Sequence, residues 1–208
     1  MSLGSFFSHD IQQEQILGKF LDDVYNGLNI DFERVSDKDM QNHGVDIIIT
    51  KKGHRFLVDE KAQLDYVGVS MPTFAFEIGG FKEEEHKIGW LFDRKKLTTH
   101  YILVTDIFLK EGTQLSSAED IASARLLWLN RAKLLEFLAA TGFDKERCER
   151  AEQDARENKL SGKIPTGQRG LYFFLSDQKA EAPFNLIIGR DHLLKIGTQI
   201  FPKLSGEA

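Results

Sequence analysis

The sequence predicts an α/β protein: a central mixed β-sheet of four or five strands flanked by helices, with a C-terminal α+β extension. Three observations carry this. Residues 9–28 repeat apolar side chains at helical spacing, with Leu17, Phe20, Leu21, Val24 and Leu28 forming one stripe. Residues 45–50 (VDIIIT) and 55–61 (RFLVDEK) read as two strands joined by a turn that contains Gly53. Strand-like and helix-like runs then mix to the end of the chain. The helical stripe needs burial, and a sheet is the only large apolar surface nearby, so the first helix is expected across it.

Composition limits the function classes. The 208 residues suit one domain, read as a core over 9–109 with 110–208 packed on it as an extension. Hydrophobic residues at 41% and charged residues at 28% indicate a globular chain, and sixteen Phe imply aromatic packing or a ring-bearing interface. Cys148 is the only cysteine, which rules out an intrachain disulfide or a cysteine-built zinc site and suits a reducing cytoplasm. No run approaches the roughly 20 apolar residues of a membrane span. Residues 1–5 lack the basic-then-apolar pattern of a signal peptide. The net charge of −5 leans against a nucleic-acid partner, although local patches and clustered metal-binding acids bear on that more than the total.

Along the chain, Ser8 is the expected N-cap of the first helix, and residues 36–44 are a polar loop. A third strand is expected at 73–78 (TFAFEI), ended by Gly79 and Gly80, and a fourth at 100–109. Ser116 with Glu119 reads as a capping box. Residues 125–129 favour a strand and 131–140 a helix stopping at Gly142. Residues 144–158 read as a mostly solvated helix and 162–170 as a loop. Residues 171–175 and 184–188 read as strands, and 191–196 as a closing helical turn.

The chemistry lies in Asp46 and in the run Asp59-Glu60-Lys61. Side chains alternate along a strand, so Asp59 and Lys61 share a face and Glu60 points to the other. If the two strands pair through the turn, Asp46 comes beside Asp59 and Lys61. Two carboxylates then suit a hard cation such as Mg²⁺ or Mn²⁺, completed by water and phosphate oxygens. A nearby lysine can orient water or stabilise developing phosphate charge. The plain alternative is a charged sheet edge with an ordinary ion pair.

Asp46, followed thirteen positions on by Asp59-Glu60-Lys61, resembles the Asp…(Asp/Glu)-X-Lys signature of the PD-(D/E)XK nuclease superfamily. The expected order also resembles that family's restriction-endonuclease-like core: a helix, three antiparallel strands, a crossover and a further strand. The resemblance covers 9–109, and Val45 stands where many members carry proline. It implies Asp46 and Asp59 as metal ligands, Lys61 as the residue acting on water, and Glu14 on the first helix as a further metal-site acid. Gln63 resembles a polar residue often found just past the lysine.

Other residues carry weaker expectations. Glu77 alternates with the phenylalanines of its strand and reads either as a further site acid or as a solvated outward residue. His43 lies three before Asp46 and is within plausible range of the site. Lys51, Lys52, His54 and Arg55 form a basic turn. Lys82, Lys87, Arg94, Lys95 and Lys96, with Trp90 and Phe92, form a second basic cluster suited to phosphates and bases. The expected activity is hydrolysis of phosphodiester bonds in nucleic acid, DNA first, with homodimer assembly left open. The alternatives are a catalytically silent nucleic-acid-binding module and an assembly protein on the same fold.

Overall fold

The computed structural model describes residues 3–82, 85–176 and 181–200, with the side chains of residues 3–10 and 82 outside the description. The expectations for the Ser8 and Lys82 side chains therefore fall outside the described residues. The chain is an α/β protein with a mixed central sheet flanked by helices. Among the described residues, no helix is long and apolar enough to cross a membrane.

Helix α1 (Leu3–Gly27) begins before Ser8, so that residue lies inside the helix and not at its cap. Strands β1 (Asp31–Arg34), β2 (Ile47–Lys51), β3 (His54–Ala62), β6 (His100–Leu109), β7 (Ile121–Asn130) and β11 (Gly197–Ile200) form the central sheet in the order β1-β2-β3-β6-β7-β11. The β3–β6 pair is parallel and its neighbours are antiparallel. Lys52 and Gly53, at φ 51° and 76°, make the β2–β3 connection a two-residue turn with both centres in the left-handed region. That turn matches the twist of the two strands and fixes their register.

A second sheet has the order β5-β4-β10-β9-β8. It comprises β4 (Thr73–Lys82), β5 (Glu85–Ile88), β8 (Gly162–Pro165), β9 (Leu171–Leu175) and β10 (Phe184–Gly189). Here the strand expected at 73–78 departs from its expected place. It does not continue the β2–β3 meander, and instead pairs with β5 and β10. The third antiparallel strand of the meander is β1, whose sequence DFER has too little apolar character to signal a strand. Phe74, Phe76 and Ile78 explain the move. They bury against Phe184, Leu186 and Phe173 in a core that β3 alone does not offer.

Two cores cover the two faces of the central sheet. On one face, Leu17, Phe20, Leu21 and Tyr25 of α1 pack on Ile47, Ile49, Val58, Ile102, Val104 and Leu126. On the other, Tyr101, Leu103, Leu127 and Leu129 join the second sheet, α3 (Arg131–Ala140) and α4 (Lys145–Glu157). Cys148, Glu152 and Ala155 are buried, so α4 is more deeply seated than its charged composition suggested. Its few apolar residues fall on one stripe. Residues 162–165, expected as loop, form β8 by pairing with β9. The capping box before β7 uses Ser117 and Asp120, one residue on from the expected pair. Short helices α2 (Lys38–Asn42) and α5 (Arg190–Ile196) complete the chain.

Candidate active site

The alternation of β3 sorts its residues. Phe56 and Val58 pack in the α1 core while Leu57 packs on the opposite face, so Asp59 and Lys61 share that opposite face and Glu60 looks toward α1. Asp46 sits just before β2. Its N–H donates to the Val58 carbonyl at 2.9 Å, its carbonyl accepts from Val35 N–H at 2.9 Å, and its Oδ2 accepts from the Glu60 N–H at 2.8 Å. These three backbone bonds bring the Asp46 carboxylate beside β3.

Asp59 is 2% exposed. Lys61 Nζ stands 2.7 Å from Asp59 Oδ1, a close ion pair whose angles fall outside hydrogen-bond geometry. Burial pushes the Asp59 carboxyl up to about 7; Lys61 pulls against this, and the neighbouring Asp46 carboxylate adds to it. Burial disfavours the Lys61 ammonium, but Asp59 outweighs it and holds the amine above its ordinary value. The lysine side chain keeps 32% of its surface in water, so screening limits what the pair contributes to stability. The Trp90 ring lies 5.5 Å from Nζ and gives the ammonium an aromatic face.

Gly44 makes this closeness sterically feasible. It sits at φ +78°, and a Cβ there would lie 2.7 Å from Thr98 Oγ1, 3.0 Å from Lys96 Cδ and 3.4 Å from Asp59 Oδ2. Thr98 Oγ1 in turn donates to the Gly44 carbonyl at 2.5 Å.

Glu14, Asp46, Glu60 and Lys61 line one open cleft of ≈ 730 Å³ between α1 and the sheet. Glu14 is exposed on α1 and lines this cleft from the helix side. Gln63 donates from Nε2 to the Thr73 carbonyl at 3.0 Å, while its buried Oε1 accepts no hydrogen bond from the described residues. Glu77 is half-buried. Burial raises its pKa, with Glu181 adding to the rise and Lys61 and Lys96 opposing it, so it lies within electrostatic range of Lys61. His43 uses Nδ1 on the Asp39 carbonyl at 2.7 Å.

The two basic clusters separate. Lys51, Lys52 and Arg55 are exposed at the hairpin tip. From His54 to Lys61 is seven strand residues, roughly 23 Å at about 3.3 Å each, so the tip is remote from the acid pair. Lys96 is close by: its stem touches the Gly44 position and Nζ donates to the Asn42 carbonyl at 2.9 Å. Arg94 and Lys95 are exposed on the same segment, whereas Lys87 pairs with Glu85 at 2.6 Å.

Sequence reasoning missed one group altogether. Arg34 of β1 binds Asp22 and Glu60, and Tyr25 donates to Glu60 at 2.6 Å. The alternation of β3 already turned Glu60 toward α1. What was missing was recognition of β1, which carries the arginine.

The donor set suits a hard cation only in part. Asp46 and Asp59 supply adjacent carboxylate oxygens, and the repulsion evident at Asp59 is the kind a cation relieves. Among the described residues, no three His, Cys, Asp or Glu side chains cluster closely enough to hold a metal by themselves, so water and phosphate oxygens would have to complete the shell. A comparison of the chain with protein-family models, curated proteins and solved structures finds no match.

Proposed function

We propose that this chain is a metal-dependent nuclease of the PD-(D/E)XK type, hydrolysing phosphodiester bonds of nucleic acid, with DNA as the first candidate. The observation that carries it is the meeting of Asp46, Asp59 and Lys61, of which Asp46 and Lys61 also line an open cleft. The element order supports it: α1, the antiparallel strands β1-β2-β3, a crossover, and β6 parallel to β3. That is the order the resemblance implies, with β1 supplying the strand that 73–78 was expected to provide.

In this reading Asp46 and Asp59 would hold Mg²⁺ or Mn²⁺. Such an ion lowers the pKa of a coordinated water and offsets phosphate charge. Lys61, its ammonium fixed by Trp90 and Asp59, would orient the attacking water and stabilise charge developing on the phosphate. Glu14 faces the same cleft from α1, and Lys96 supplies a phosphate-binding charge beside the acids. Arg94 and Lys95 extend that contact, while Lys51, Lys52 and Arg55 bind backbone phosphates farther along the strand.

The test is cleavage of plasmid and oligonucleotide DNA with Mg²⁺ or Mn²⁺, run beside Lys61→Ala. If Lys61 acts mainly in the transition state, the variant loses ~10²-fold or more in rate while DNA affinity changes little. Metal-dependent cleavage by the intact chain that Lys61→Ala leaves untouched refutes the role of the lysine. Binding without cleavage under any condition favours a silent nucleic-acid-binding module on the same fold.

A further inference from the structure

We infer that Arg34 and Glu60 are positioning residues that hold Asp46 in its ligand-presenting pose, an inference that rests on the nuclease reading above. The chain of contacts is short and continuous. The Arg34 guanidinium ties β1 to α1 and β3: Nη2 donates to the Gly18 carbonyl at 3.0 Å, Nε to Asp22 Oδ1 at 2.7 Å, and Nη1 to the Glu60 carboxylate. Tyr25, fully buried on α1, donates its hydroxyl to the other Glu60 oxygen at 2.6 Å. Both oxygens of Glu60 are thereby engaged from β1 and α1. Its own N–H then donates to Asp46 Oδ2 at 2.8 Å.

Asp46 is gripped from the same two strands. Val35, the residue after Arg34, donates its N–H to the Asp46 carbonyl at 2.9 Å, and Asp46 N–H donates to the Val58 carbonyl at 2.9 Å. Arg34 thus governs the strand on one side of Asp46 and Glu60 the strand on the other. One carboxylate oxygen is committed to a peptide N–H, so the side chain does not rotate freely. A fixed carboxylate binds a cation without first losing rotamer freedom, and outer contacts of this kind typically carry ~10–100-fold in metal affinity. The same network fastens α1, so it also sets where Glu14 meets the cleft.

A purely structural ion pair predicts something different. Replacing both partners of a buried pair by apolar groups of similar size is often neutral for stability, whereas removing one partner is costly. The double variant Arg34→Met/Glu60→Met therefore separates the two roles. Mn²⁺ affinity is measured by calorimetry on the full chain, Tm by circular dichroism, and kcat and KM on a DNA substrate. The expected result is a folded variant whose Tm falls only modestly, because the Tyr25 hydroxyl loses its acceptor, with Mn²⁺ affinity reduced ~10-fold or more and a lower kcat with little change in KM. Arg34→Lys, which keeps the charge but loses the fork, should fall between. A folded double variant with wild-type Mn²⁺ affinity and kcat overturns the inference. If that variant does not fold, Tyr25→Phe takes its place: a drop of a few-fold in Mn²⁺ affinity supports the inference, and an unchanged affinity overturns it. If wild-type protein neither binds Mn²⁺ nor cleaves DNA, the nuclease reading falls and this inference with it. Wild-type activity with unaffected variants removes the positioning role alone.

Discussion

Asp59 holds the clearest pH signal in the molecule. Its folded pKa of about 7 stands above the ordinary 3.8. The folded state therefore grips the proton more tightly than the unfolded state, so the group's contribution to stability is complete below pH ~4 and is lost as pH rises through ~7. The difference corresponds to at most about 4 kcal/mol, with burial as its main cause and the Asp46 carboxylate adding to it. Metal-free wild-type protein should lose Tm between pH 5 and pH 8, and Asp59→Asn should lose much less. Parallel curves for the two proteins contradict a raised pKa at Asp59. At pH 8, Mn²⁺ should restore Tm in the wild type and not in Asp59→Asn, since binding to the folded state stabilises it.

Helix α4 and strand β4 show how a charged element becomes core. The Glu152 carboxylate is buried, held by Arg156 at 2.6 Å and His86 at 3.2 Å. It occupies the space above Gly79, where a Cβ would stand 2.2 Å from Glu152 Oε2. Only a residue without a side chain allows α4 to seat here. Gly79→Ala should cost about 1–3 kcal/mol through overpacking. Gly27→Ala, at the end of α1, meets nothing within 4 Å and should be neutral or slightly stabilising. Equal denaturation midpoints for the two variants would argue against the α4–β4 packing. On the opposite face, Leu21 is 1% exposed, and Leu21→Ala should cost about 2–5 kcal/mol by leaving a cavity between α1 and the sheet.

Across the whole molecule, both sheets draw strands from both halves of the chain. The central sheet takes β7 and β11 from the C-terminal half, and the second sheet pairs β4 and β5 with β8, β9 and β10. The described residues after Leu109 thus complete the sheets begun before it. A fragment ending at Leu109 leaves β6 without β7, its partner from His100↔Asn130 onward, and exposes Phe74, Phe76 and Ile78. That fragment should give a collapsed amide spectrum and no cooperative melt, while the full chain should unfold in one transition. A well-dispersed spectrum from the fragment would show that the first half has a sufficient core of its own.

What could be read from the sequence was local. The α1 stripe, the β2–β3 hairpin, the sidedness of Asp59, Glu60 and Lys61, and most of the later strands and helices follow from periodicity and turn residues. Those signals span a few residues and depend on no distant partner. The convergence of Asp46 with Asp59 and Lys61 was also legible, because a two-residue turn sets the hairpin register. Tertiary structure alone decided the rest. The strand β1 exists because β2 offers it hydrogen bonds, since DFER carries little apolar pattern. The strand β4 left the meander because its phenylalanines found a larger apolar surface among β9 and β10, about a hundred residues away in sequence. The burial of Asp59 and its raised pKa arise on the face of β3 away from α1, beside Asp46 and Gly44, and the Arg34–Glu60–Tyr25 contacts arise only when β1, β3 and α1 meet. Alternation dictates which way a side chain points, but what it meets depends on strand pairing between distant segments.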